Sequence, residues 1–306
     1  MVETRSKKLV PFKATHPGEV LLDELKERGI KQKDFAVAIG VQASHLNEFI
    51  KGKRDLNDDL AVKLERHIGI PFEVWMNLQR NYKVDCEAIE ARIAQKEEAL
   101  NYESQLATLI NLSALYKFLN ITKHDINALK SCFDFNLLEA PQMESHVAGL
   151  YKHSDKVQID EKNMRTWLVM NWYSLSKISV PNEYVQGNAL LAAADIAKHA
   201  NSLSLSPSVI EEILNNYGIA YVHVPKLEKT PIDAFSTRYK NVPAITVTYR
   251  YNDLDKLAFD VIHELCHIDK HLTEDGKCFI TVEGVDYSKD PREREANEFA
   301  RNMCKY

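Results

Sequence analysis

The chain has 306 residues, of which 45% are hydrophobic and 27% are charged, a globular composition that excludes a wholly disordered protein. This length predicts two or three domains. The formal net charge of −5 excludes a uniformly basic surface. The charge is unevenly distributed, because residues 1–80 carry 14 basic and 12 acidic residues, a net of +2, whereas the remainder carries 25 and 32, a net of −7. A basic part that faces nucleic acid, attached to an acidic body, fits this distribution.

The cysteines and the apolar runs indicate a cellular compartment. Five cysteines, an odd number with no C-x-x-C pair, are typical of reduced thiols rather than of a disulfide framework. No apolar signal segment opens the chain, and the longest apolar runs are too short to cross a bilayer. We therefore expect a cytoplasmic protein with no membrane contact.

Residues 1–82 predict an all-α domain of short helices separated by glycine, asparagine and proline. The expected helices begin at Pro17, run over Gln32–Ile39 and Ala43–Lys51, and begin again at Asn57 and Pro71.

Residues 83–205 predict a helical middle region without a chemical motif. The segment 83–115 contains neither proline nor glycine and indicates a long connecting helix, which is equally compatible with a dimerising helix and a solvated spacer. Further helices are expected at Ile121–Cys132, Ala140–Tyr151, Glu161–Ser176 and Glu183–Ala200.

Residues 206–306 predict an α+β domain. Strands are expected at Ile219–Val224, Ala234–Arg238 and Ala244–Tyr249 because these segments are rich in β-branched and apolar residues. Helices are expected at Val209–Tyr217, at Leu254–Leu272 and from Pro291 to the end, with a loop that contains Gly276 and Gly284 before the last one.

The two helices around Gly40 have the pattern of a helix-turn-helix. The second helix has apolar residues on one side and short polar groups on the other, as a helix in the major groove requires. The polar set consists of Gln42, Ser44, His45, Asn47, Glu48 and Lys51. Two sets of side chains can contact phosphates. The cations Lys51, Lys53 and Arg54 lie at the far end of this helix, and Gln32 and Lys33 lie at the start of the preceding helix. An ordinary helical hairpin in a bundle gives the same periodicity.

Several ordered motifs over residues 14–82 resemble the HigA-type antitoxins of the Xre/Cro helix-turn-helix class. They are His16-Pro17-Gly18-Glu19, Gly52-Lys53-Arg54 and the ending Trp75, Asn77, Leu78, Gln79. The resemblance implies base-reading roles for Gln42, Ala43, Ser44 and Asn47, whereas Glu48 reads bases, excludes some of them or remains solvated. It also implies a homodimer on a palindromic double-stranded DNA operator, usually the protein's own promoter, and a cognate toxin.

His263-Glu264-Leu265-Cys266-His267 is an H-E-x-x-H motif in a predicted helix. Positions i and i+4 share a helix face, so both imidazoles can bind one Zn²⁺, and Glu264 can act as the general base. A surface helix with two histidines has the same five-residue pattern. The segment Ala244–Tyr249 is expected to be an edge strand that aligns a peptide, and Tyr249, Arg250 and Tyr251 are candidates for polarising a carbonyl.

A third metal ligand must come from outside this motif. His271 lies on the same face, but His263 and His271 are separated by about 12 Å of helical rise, too far for one tetrahedral ion. Glu293, Glu295 and Glu298 in the last helix remain candidates.

The motif HELCH followed by E-A-N-E-F-A resembles the ImmA/IrrE family of gluzincin-like metallopeptidase domains. The match covers residues 205–303. It implies that Glu295, which directly precedes Ala296, is the third ligand beside His263 and His267, with Glu264 as catalytic base. It also implies that the 206–306 domain is zincin-like. Cys266 departs from the small residue that is common there, and the family pattern continues beyond Tyr306, so we expect a truncated domain.

Two functions follow. The first is an antitoxin-type transcriptional autorepressor that neutralises a toxin and carries a zinc metalloendopeptidase domain for regulatory proteolysis of a protein substrate. The alternative is a non-catalytic DNA- and toxin-binding regulator whose zinc-like domain is a sensor or a structural remnant.

Overall fold

The computed structural model describes residues 9–138, 159–248, 253–272, 278–282 and 290–304. The chain divides into an N-terminal unit, residues 1–101, and a C-terminal unit, residues 102–306. This division differs from the boundaries at 82/83 and 205/206 that the sequence predicts. The predicted helix Ala140–Tyr151 and the segment Tyr249–Tyr251 lie outside the described residues.

All regular secondary structure among the described residues of the N-terminal unit is helical, as predicted. The helices are α1 (Pro17–Glu27), α2 (Gln32–Ala38), α3 (Ala43–Ile50), α4 (Asp58–Ile68) and α5 (Phe72–Leu109), the last of which continues past the end of this unit at residue 101. Its core consists of the apolar faces of these helices and includes Leu21, Phe35, Leu46, Leu64 and Trp75. Burying such side chains stabilises the unit by about 1.5–3 kcal/mol each before the cost in chain entropy.

The helix that begins at Phe72 and the predicted connecting helix are one element, α5. No proline or glycine interrupts the backbone hydrogen bonds between Phe72 and Leu109, so the helix continues. It ends just before Asn111, whose side chain accepts a hydrogen bond from the backbone N–H of Ala114 and caps the next helix.

The C-terminal unit has helices and a sheet. The helices are α6 (Leu112–Leu119), α7 (Ile126–Ser131), α8 (Glu161–Lys177), α9 (Asn188–Asn201), α10 (Pro207–Asn216), α11 (Leu254–Lys270) and α12 (Pro291–Met303). The strands are β1 (Ala220–His223), β2 (Ile232–Tyr239), β3 (Val242–Val247) and β4 (Cys278–Val282).

The sheet has the order β1-β3-β2-β4. β1 pairs in parallel with β3, whereas β2 pairs antiparallel with both β3 and β4. β2 and β3 form a hairpin across Lys240 and Asn241, whose positive φ angles of 48° and 66° are typical of a type I′ turn.

The prediction that Ala244–Tyr249 is an edge strand is wrong. β3 hydrogen-bonds to strands on both sides, which its run of buried residues Pro243–Val247 requires. β1 and β4 lie at the edges of the described sheet, and β4 falls in the segment predicted as a loop.

The core of the C-terminal unit lies between one face of the sheet and α11. Ile245 and Val247 of β3 share a buried cluster with Val261 and Leu265 of α11, and with residues of α9 such as Ile196. The predicted middle region therefore contributes helix α9 to the same core as the last hundred residues. None of the described helices is long and apolar enough to cross a lipid bilayer.

Candidate functional site

The polar face of α3 is presented to solvent, while Leu46, Phe49 and Ile50 are buried beneath it. Every predicted DNA-contacting residue lies outside the core. Those that are exposed are Lys33, Gln42, Ala43, Ser44, His45, Lys51, Lys53 and Arg54, and those that are half-buried are Gln32, Asn47 and Glu48. The structure thus presents the predicted set on the accessible side of α3, at the start of α2 and just beyond Ile50.

Glu48 and Arg54 form an ion pair on this surface, with 3.3 Å between Oε2 of Glu48 and Nη2 of Arg54. The side chains are 46% and 50% exposed. Such an exposed pair contributes little to stability. The ion pair instead places the Arg54 guanidinium beside α3.

The His16-Pro17-Gly18 segment positions the end of α3. The Nδ1 atom of His16 accepts a hydrogen bond of 2.9 Å from the backbone N–H of Gly18 and so caps α1. A Cβ atom at Gly18 would lie 2.2 Å from the backbone oxygen of Phe49, so only glycine allows this approach of α1 to α3. Burial lowers the pKa of His16, although Asp55 and Glu19 oppose the shift.

Gln79 of α5 fixes the chain just after the predicted phosphate-binding residues. Its Oε1 atom accepts a 2.8 Å hydrogen bond from the backbone N–H of Leu56, and its Nε2 atom donates to Asp55 at 3.0 Å. Gln79 is 5% exposed, and its contact with the Leu56 N–H is shielded from water, whereas the Asp55 side chain is 55% exposed. The motif residues at the two ends of the N-terminal domain therefore support the exposed surface rather than form it.

The second candidate site lies between α11 and α12. His263 and His267, one turn apart on α11, bring their Nε2 atoms within 3.0 Å of each other. The Glu293 carboxylate of α12 lies 3.2 Å from Nε2 of His263 and 3.4 Å from Nε2 of His267. All three side chains are buried.

The donor set fits a metal ion such as Zn²⁺. Ligands about 2.0–2.1 Å from a tetrahedral ion lie about 3.3 Å from one another, close to the separations seen here. Two Nε2 atoms cannot both donate to each other, and one oxygen of Glu293 together with Nδ1 of His263 is buried without a hydrogen-bond partner among the described residues. A cation held by the two Nε2 atoms and the Glu293 carboxylate would give the unpaired Glu293 oxygen a partner.

The predicted third ligand, Glu295, does not lie in this cluster. It is exposed, and its carboxylate contacts Lys270 and His271 instead. Glu293 lies beside the two histidines instead, because it shares a face of α12 with the buried residues Ala296 and Ala300, at successive spacings of three and four. That spacing is the signal in the sequence that identifies Glu293. Glu298, the remaining candidate, is exposed.

Glu264, the predicted general base, is fully buried and accepts a hydrogen bond from the hydroxyl of Ser236 on β2. Sequence reasoning missed Ser236, whose place beside Glu264 depends on the packing of β2 against α11. Phe279 on β4 is the register partner of Ser236, and its ring stacks on His267 with centroids 4.2 Å apart. Serine and phenylalanine in a strand carry no signal for these roles.

The charges in the cluster perturb its pKa values. Burial raises the pKa of Glu293, but the adjacent His263 and His267 outweigh it and lower that pKa to about 2. Burial lowers the pKa of His263, but Glu293 and Glu264 outweigh it, so the net shift is upward. Cys266 is in the core, where burial raises its pKa to about 11, and its thiol is not part of the donor cluster found among the described residues.

The N-terminal unit has the arrangement of DNA-binding regulators of the helix-turn-helix class. The helix-turn-helix family matches residues 21–75. Virulence-associated protein I of Dichelobacter nodosus is 33% identical over 96 residues, which cover 29% of this chain and 89% of that protein. The chain belongs to the helix-turn-helix family.

Two other known proteins match a similar share of this chain. The uncharacterized HTH-type transcriptional regulator YddM of Escherichia coli (strain K12) is 29% identical over 68 residues, 22% of this chain and 72% of that protein. The structure of Pseudomonas aeruginosa antitoxin HigA with the higBA promoter is 34% identical, with a TM-score of 0.25, and the match covers 28% of this chain and 94% of that one.

Proposed function

We propose that this chain is an antitoxin-type transcriptional regulator whose C-terminal unit is a zinc-dependent, peptidase-like domain of the ImmA/IrrE type. The convergence of His263, His267 and Glu293 beside Glu264, in a chain with a helix-turn-helix head, is the observation that carries the proposal. Neither a DNA-binding head alone nor a bundle of structural helices accounts for that buried donor set.

The proposed DNA contacts follow from the exposed face of α3. Short polar side chains such as Ser44 and Asn47 are of a size to approach base edges, and Lys51 and Lys53 would contact phosphates. The resemblance of residues 14–82 to HigA-type antitoxins supports a homodimer on a palindromic operator in the protein's own promoter. It also supports a cognate toxin as partner.

In the C-terminal unit, His263, His267 and Glu293 would hold Zn²⁺. A zinc ion bound there would polarise a peptide carbonyl and lower the pKa of water. Glu264 would accept a proton at its carboxylate, and the hydrogen bond from Ser236 fixes the orientation of that carboxylate. The stacked ring of Phe279 limits the rotation of His267 and shields its face from water.

One observation favours the alternative of a non-catalytic sensor or structural remnant. Glu264 and His267 have no exposed surface, so a peptide has no direct access to them in this conformation. A peptidase and a sensor would both bind zinc, and only the peptidase would cleave a peptide.

The metal experiment separates these functions. We expect about one zinc per chain by elemental analysis of the wild type, and loss of zinc in Glu293→Gln. A Glu264→Gln variant should retain zinc and lose cleavage of the chain itself or of the neighbouring gene's product. Zinc in the wild type with no cleavage of either substrate would reject the peptidase and leave the sensor. Absence of zinc from the wild type would reject the peptidase and the sensor and leave the structural remnant.

The DNA experiment tests the head separately. Fluorescence anisotropy with the upstream DNA should give tighter binding than with a scrambled duplex at the same salt concentration. Lys53→Ala should weaken binding and lower the slope of log K against log salt by about one. Lys96→Ala, the same change of charge in the exposed middle of α5, is the matched control. Equal affinity for upstream and scrambled DNA would remove the operator proposal.

A further inference from the structure

His267 contacts a second imidazole through the nitrogen that faces away from Glu293. Its Nδ1 atom lies 2.9 Å from Nδ1 of His271, one turn further along α11. The Nε2 atom of His271 lies 3.2 Å from Oε2 of Glu295. The other oxygen of Glu295 accepts a hydrogen bond from the ammonium group of Lys270. These contacts form one continuous chain from α11 to α12.

The hydrogen-bonding capacities of these groups allow one arrangement of protons when His267 binds a metal through Nε2. A ligating Nε2 must carry its lone pair, so the proton of the neutral ring is on Nδ1, which donates. Nδ1 of His271 must then accept, which puts the His271 proton on Nε2. That N–H donates to the Glu295 carboxylate, which can only accept. Each group in the chain has a partner of the required type.

We infer that His271 and Glu295 are positioning residues that hold His267 in the tautomer and orientation needed to bind the metal. The inference rests on the proposed metal site. The sequence predicted Glu295 as a ligand, with His271 as its competitor; the structure places His271 one contact beyond His267, and Glu295 one contact beyond His271. A ligating histidine that donates its second N–H to a fixed acceptor is a more basic and better oriented ligand.

The two metal-binding histidines differ in this respect. His263 is just as buried, yet its Nδ1 atom has no hydrogen-bond partner among the described residues. His267 has both a hydrogen-bonded partner and the stacked ring of Phe279, whose centroid is also 5.7 Å from that of His271. Lys270 and His271 together anchor Glu295 between the two helices. The geometry of the site is therefore controlled mainly from the His267 side.

Zinc affinity of the full chain, measured by competition with a chromogenic chelator, tests the inference. His271→Phe keeps a ring of similar size but cannot accept the hydrogen bond from Nδ1 of His267, so we expect zinc to bind about 10–100-fold more weakly. His271→Gln can accept from His267 and donate to Glu295, so it should recover most of the affinity. Glu295→Gln should weaken binding, whereas Glu298→Gln, the same change at an exposed position of α12, should not.

A spectroscopic measurement separates positioning from general destabilisation. In the zinc-loaded wild type, long-range ¹H–¹⁵N correlation of labelled histidine should show His267 protonated at Nδ1 and His271 protonated at Nε2. His271→Gln should retain the first signal. A His271 that is protonated at Nδ1 in the loaded protein would overturn the inference, even if the variants fold poorly.

The failure of this inference is distinguishable from the failure of the metal site. If His271→Phe and Glu295→Gln bind zinc as tightly as the wild type while Glu293→Gln does not, the positioning role of His271 and Glu295 is wrong and the metal site stands. If Glu293→Gln binds as tightly as the wild type, or the wild type binds no zinc, the metal site and the positioning role are both wrong.

Discussion

Replacing Asp260 by asparagine should stabilise the C-terminal unit at neutral pH. Asp260 lies on α11, and burial raises its pKa from 3.8 to about 6, against the opposing effect of Lys256, while Asp233 and Glu264 add to the increase. Lys256 contacts the Asp260 carboxylate at 2.9 Å and that of Asp233 at 3.2 Å, so it keeps an acidic partner in the variant. Asparagine has nearly the same shape and never ionises.

The size of the effect follows from the difference between the two pKa values. At about 1.4 kcal/mol per pKa unit, the shift makes ionised Asp260 cost about 3 kcal/mol in the folded state. Because the folded-state pKa is raised, the contribution of Asp260 to stability is complete below pH 3.8 and is lost as the pH rises through about 6. The variant lacks this loss, so its advantage should grow between pH 4 and pH 7.

Urea denaturation at several pH values measures this advantage. A Trp75→Phe background leaves Trp167 and Trp172 as the tryptophans, both in the C-terminal unit, and EDTA removes bound metal. Asp255→Asn, the same change at an exposed position of α11, is the control; it keeps Asp260 and should therefore lose stability near pH 6 as the wild type does. Parallel stability curves for wild type and Asp260→Asn from pH 4 to pH 7 would refute the reasoning.

The other predictions concern the N-terminal unit. Gly18→Ala should destabilise it by about 1–3 kcal/mol, since the new Cβ meets the backbone of Phe49, and thermal unfolding that matches the wild type would contradict this. His16→Asn keeps a capping acceptor but does not titrate. Because the pKa of His16 is lowered in the folded state, its contribution to stability is present above pH 6.5 and is lost as the pH falls through that lowered pKa. Between pH 7 and pH 5 the wild type should therefore lose more stability than the variant in urea denaturation. Leu46→Ala empties a fully buried position and should cost about 2–5 kcal/mol by the same method; a cost below that range would show that the core collapses into the space.

The sequence was sufficient for features that depend on local chemistry. Pro17, Gly40 and Asn57 begin or end helices through their own backbone or side-chain preferences, and these boundaries were predicted. The placement of His263 and His267 on one face of α11 also follows from helical spacing alone.

Features that depend on distant partners were missed. β4 is a five-residue strand between glycine-containing segments, and only its pairing with β2 makes it a strand. β3 was expected at the edge because its own residues do not show that β1 and β2 lie on either side. The choice of Glu293 over Glu295 depends on which face of α12 packs against α11, and the buried alanines on that face were a weaker signal than the motif.

The ion pair between Glu48 and Arg54 has a consequence for binding thermodynamics. An arginine that already has a carboxylate beside it in the free protein carries its own counter-ion, so contact with a phosphate exchanges one anion for another. Such an exchange alters the ion atmosphere less than capture of a phosphate by Lys53, which has solvent around it. In the proposed complex with DNA, Arg54 would thus keep its orientation while adding little to the salt sensitivity of binding, and Glu48, once displaced, would repel any duplex that does not give it a hydrogen-bond donor.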